Sequence, residues 1–183
     1  MTAPMVAEPN PRTPDAPMAF TSTELVHGVV ATGATFLVAA PVLTITGMTI
    51  LSPGTFVFAI MVVAYGTLLV LAPATVVMCV ALTPIARRIG RSLRGESRRW
   101  PHLVAYGALG ALASGVASVA VGAVLGAFAV DGVRVLEGIA FVTPWGGMLA
   151  PVAAGSAALG WYLAARRALA SDRRAAAAAQ LAG

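Results

Sequence analysis

From Leu25 to Ala86 the chain contains no Asp, Glu, Lys or Arg, and His27 is the one group there that could carry a positive charge. Few folds accept such a run. In water it would have no polar side to turn outward. In hydrocarbon it has to satisfy its own backbone, as membrane-spanning helices do. One crossing takes about 20 apolar residues at 1.5 Å each. The run therefore holds either two long helices or three short ones.

Turn chemistry separates these cases. Ser52-Pro53-Gly54 is the one strong break, because Pro presets a turn and Gly frees the residue after it. A second break at Pro73 would leave only a stub before the arginines. Pro41 and Pro73 are thus read as kinks inside spans at about 25–51 and 55–83. Charge-free segments recur at about 103–130 and 138–165 and supply two further spans, the last containing Pro144 and Pro151. Between them, Asp131 to Glu137 reads as a short polar connection. Residues 1–22, with five prolines among small and polar residues, read as a disordered tail. Residues 166–183 read as a fraying helical extension.

Composition agrees with lipid as the main solvent. Only 10% of the 183 residues are charged and 58% are hydrophobic, where a soluble domain has about a quarter charged. All twelve basic residues are arginine. With abundant Ala, Gly and Val, this fits GC-rich bacterial coding. The net charge of +5 could suggest nucleic acid, but the arginines flank apolar runs and no stacking aromatics accompany them. Cys79 is single, which excludes a disulfide frame and a thiolate metal site.

Arginine placement gives the orientation. Short loops on the cytoplasmic side carry excess Arg and Lys. Four spans put Arg12, the six arginines of 84–102 and the four of the C-terminal tail on one face, and Arg134 alone on the other. Both termini are expected in the cytoplasm, with the protein in the plasma (inner) membrane.

Helices in lipid pack through small residues, since no hydrophobic drive distinguishes neighbour from solvent. Span three offers Gly110, Ser114, Ser118, Gly122 and Gly126, each four residues on, and Gly107, Ala111 and Gly115 beside them. Span four offers Gly146, Ala150, Ala154 and Ala158, then Ser156, Gly160 and Ala164. These faces are expected to bring spans three and four together, or to meet another copy. In 84–102, Arg87, Arg91, Arg94 and Arg98 share one helical face, opposite Ile85, Ile89, Leu93 and Trp100. That is the pattern of a helix lying on anionic headgroups; an irregular positive loop is the alternative.

Ionisable groups at mid-span would point to chemistry. The centres near Val38, Val70, Val116 and Val152 have none. Glu24 and His27 lie on one face at the edge of span one, where they could titrate as a pair or simply anchor the helix. Thr21 and Glu24 fit a capping box. The threonines of span one could line a polar path, or bond back to their own helix. His102, Trp100, Trp145, Trp161 and Tyr162 read as interfacial anchors. No catalytic residue, metal ligand or cofactor is expected.

The reading is an all-α polytopic integral membrane protein, a bundle of four transmembrane helices. The expected role is non-enzymatic: an accessory, assembly or scaffold component working through helix–helix contacts. A small oligomeric permease or channel is the alternative.

Overall fold

A computed structural model describes residues 12–13, 16–52, 54, 56–128 and 133–182. Most of the expected N-terminal tail (1–11, 14 and 15), Pro53 of the expected break and Asp131 of the expected connection lie outside them. The described residues are all-helical, without strands. Helix α1 spans Ser22–Leu51, α2 Phe56–Gly66, α3 Ala72–Ser92, α4 Arg99–Ala127 and α5 Val133–Ala182. A π turn, Thr67–Leu71, joins α2 to α3. Four continuous helices, counting Phe56–Ser92 as one, are long and apolar enough to cross a membrane.

Local chemistry sets the ends. The Thr21 hydroxyl accepts the Glu24 N–H at 3.1 Å, and the Glu24 carboxylate accepts the Thr21 N–H at 2.9 Å. This closes the capping box and starts α1. The π turn has its cause in Pro73. A proline has no N–H to give and its ring crowds the carbonyl four residues back. One wider turn relieves this, and the Ala72 N–H reaches the Thr67 carbonyl, five residues back. At Pro41, Pro84, Pro144 and Pro151 the α-helix continues through the proline.

Two boundaries differ from the sequence reading. Helix α3 passes Pro84 and ends only at Ser92. Arginines near a helix C-terminus favour the exposed carbonyls, and Arg91 lies in the last turn. The stretch 84–102 is therefore neither a separate interfacial helix nor wholly a loop. Its first half finishes α3, residues 93–98 form the turn, and α4 starts at Arg99. Likewise α5 begins at Val133, so Arg134 and Glu137 stand on its first turns rather than in a connection.

Helix α5 is the hub. Its row Ala153, Ala157 and Trp161 is buried on the side of α4, and Gly160 and Ala164 meet α1 at Gly28 and Thr32. The predicted row Ser156, Gly160, Ala164 thus serves α1 rather than α4. Of the row Gly146, Ala150, Ala154 and Ala158, Gly146 is buried and the others are half-buried. The α4 stripe runs antiparallel along α5. Gly126 faces Arg134 and Val135, Gly122 faces Gly138 and Ile139, Ser118 faces Gly146, and Gly110 faces Ala153 and Ala157. The Ser114 hydroxyl donates to the Gly146 carbonyl at 2.9 Å. The stripe is consumed inside the chain.

The described residues ahead of α1 are packed rather than free. Arg12 binds both Glu24 oxygens at 2.7 Å and Asp172 at 2.9 Å, and its guanidinium lies 5.9 Å from the Phe20 ring centre. The Met18 N–H donates to the Arg94 carbonyl at 3.2 Å. These contacts gather Arg12, the α3–α4 turn and the end of α5 at one end of the bundle, with Arg134 at the other. Replacing Arg12 with Gln leaves Glu24 and Asp172 without their shared cation. Limited proteolysis in detergent should then cut before Ser22 at least several-fold faster, with the helices intact. Equal cutting rates would show that the ion pairs do not hold the segment.

Candidate functional site

A cluster of buried rings lies at the arginine end. His102 is fully buried and stacks on Trp161, with ring centres 4.7 Å apart and planes 9° from parallel. Tyr106 stacks on the same indole at 6.1 Å, and Phe20 meets it edge-on at 6.3 Å. The His102 Nε2–H donates to the Glu96 carbonyl at 3.1 Å, which ties the α3–α4 turn to α4. The Tyr106 hydroxyl donates to the Ala86 carbonyl at 3.2 Å and so ties α4 to α3. Among the described residues, His102 Nδ1 and Trp161 Nε1 are buried without a hydrogen-bond partner. His102 and Trp161 are therefore structural core, not interfacial anchors. Trp100 and Trp145 do remain exposed, at 72% and 47%.

One clue to this core lay in the sequence. His102 and Tyr106 precede Gly110 by eight and four residues, so they continue the stripe of small residues toward the arginine end. The buried residues of α4 follow that one register. Large rings occupy it where the helices diverge, and glycines where they touch.

Beyond this cluster lies an apolar cleft of about 510 Å³, walled by α1, α3, α4 and α5. Its lining is almost entirely carbon. On α4 it reaches from Tyr106 to Leu125, about 29 Å at 1.5 Å per residue, close to the thickness of a bilayer core. The hydroxyls on or near its walls are already bonded. Thr32 and Thr75 donate to the carbonyls of Gly28 and Leu71, and Thr35, Thr44, Thr46 and Thr49 likewise bond four residues back. The threonines of α1 thus line no polar path.

Phe20 and Leu25 border both the cleft and a second pocket at the arginine end. That pocket is edged by Arg87, Arg91 and Arg94. All three are exposed, and their side chains make no ion pair among the described residues. Arg98 is exposed as well but sits on the far side of the turn, ahead of α4, and does not edge the pocket. Glu24, which lines the cleft, has its charge taken by Arg12. His27 is not joined to Glu24; its Nδ1–H donates to the Thr23 carbonyl at 2.9 Å. Among the described residues, no three His, Cys, Asp or Glu side chains are grouped to hold a metal.

The site thus combines a long carbon-lined cleft with three exposed guanidiniums at one mouth, none of them ion-paired among the described residues. It can hold an apolar chain and an anion; it offers no nucleophile–base pair. Searches found no protein-family model, no curated protein and no solved structure that this chain matches.

Proposed function

We propose that the chain is a bacterial multi-pass membrane protein that crosses the plasma membrane four times with both termini in the cytoplasm. Its role is non-enzymatic: an accessory, assembly or scaffold component that works by contact with another membrane protein. The carrying observation is the length of α5. A crossing needs about 20 residues, and α5 has 50. Beyond Ala168, its last buried residue, it runs on to Ala182, about 20 Å as a single rod. That rod grows from a formed helix and is rich in alanine, the best helix former. It is a preorganised contact element on the arginine side of the bundle. The gathering of eleven arginines at that end supports the orientation.

The test is co-purification in mild detergent. The full chain should bring down a second membrane protein, and a chain ended after Arg174, which keeps the Asp172 ion pair, should lose it. Recovery of the chain alone under every mild condition would overturn the contact role.

The π turn favours the second reading, a small oligomeric permease or channel. Such turns often sit at functional positions, and Val70 and Leu71 of this one line the cleft. Flux in liposomes separates the two. The contact role gives none, whereas a permease gives flux that Leu71→Trp blocks.

A further inference from the structure

The cleft and the arginine pocket meet at Phe20 and Leu25. Together they present a long apolar slot that ends in concentrated positive charge. A carbon-lined slot about 29 Å long matches an extended hydrocarbon chain in length and chemistry. Charge selects the head. Arg87, Arg91 and Arg94 hold no carboxylate among the described residues, and the nearby Glu24 is spent on Arg12. Guanidinium forks match phosphate oxygens two at a time. Gly90 helps by letting α3 approach α4, where a β-carbon would stand 3.1 Å from the Tyr106 hydroxyl.

We propose that this slot is a built site for one anionic phospholipid, with an acyl chain along the cleft and the phosphate on Arg87, Arg91 and Arg94. The inference rests on the membrane placement proposed above but not on the accessory role. It differs from general attraction of arginines to an anionic surface, because the site needs both the charge and the slot.

Native mass spectrometry of the detergent-released protein tests it, with added phosphatidylglycerol or phosphatidylcholine of the same chains. One phosphatidylglycerol should bind, at least tenfold more tightly than phosphatidylcholine. Replacing Arg87, Arg91 and Arg94 together with Gln should abolish that preference. Ala117→Trp, which fills the cleft far from the arginines, should abolish retention. Both variants should keep the parent's circular dichroism. Glycerol phosphate, the head without chains, should not be retained. Equal binding of the two lipids, or undiminished binding in a folded Ala117→Trp variant, would overturn the site. Recovery of the chain from the aqueous fraction would instead overturn the membrane placement.

Discussion

Truncating Trp161 to Ala should lower the stability of the detergent-solubilised chain by about 3–5 kcal/mol, the range for removing a large buried aromatic. For a chain of this size that is a fall in Tm of roughly 10 °C. The reason is geometric. Trp161 is 5% exposed and is touched by rings from three separate segments: Phe20 ahead of α1, and His102 and Tyr106 on α4. Its removal leaves His102 facing a void, with Nδ1 still buried and without a partner. Because lipid is as apolar as the core, most of the loss is packing rather than hydrophobic transfer. Trp145→Ala is the control. That ring is nearly half exposed, and the change should stay within about 1 kcal/mol. Thermal unfolding followed by circular dichroism measures both. Equal shifts for the two variants would refute a central role for Trp161.

The contrast between these tryptophans marks the limit of reading this chain unaided. Both stand near an end of the fourth apolar segment, and locally both look like anchors. Trp161 is buried only because Phe20 and His102 come to it from positions 141 and 59 residues away. Such contacts leave no periodic trace beside the tryptophan. The four long apolar helices were legible because a long charge-free stretch is a purely local property. The α4 stripe was legible for the same reason: small residues, Gly or Ser, recur at one helical spacing. The end of α3 at Ser92 rather than near residue 83 was not legible, because Pro84 removes a single hydrogen bond and the turns after it still close. The packed Arg12 was hidden because its two acids, Glu24 and Asp172, lie at opposite ends of the sequence. The arginine mouth of the cleft was half visible. Arg87, Arg91 and Arg94 could be grouped by spacing, whereas the slot beside them exists only once four helices are set around it.

The stripe itself carries the second large effect. Gly122→Leu should cost about 3 kcal/mol, the upper end of overpacking, because the obstacle is backbone. A β-carbon on Gly122 would lie 2.7 Å from the Gly138 carbonyl oxygen and 2.7 Å from the Ile139 Cα. Neither atom can swing away as a side-chain tip could, so α4 and α5 must separate. Separation would propagate along the register to Ser114, whose hydroxyl would lose the Gly146 carbonyl. Gly115→Leu is the matched control on the same helix. It adds the same side chain and forfeits the same glycine, yet nothing lies within 4 Å of its β-position. That variant should gain slightly from helix propensity, by up to about 1 kcal/mol. Size in detergent sharpens the reading. With the stripe consumed between α4 and α5, Gly122→Leu should lower the melting temperature without changing the mass of the purified species. A changed mass with unchanged melting would mean that the stripe binds a second copy instead. Identical melting of the Gly122 and Gly115 variants would mean that α4 and α5 do not meet along this face.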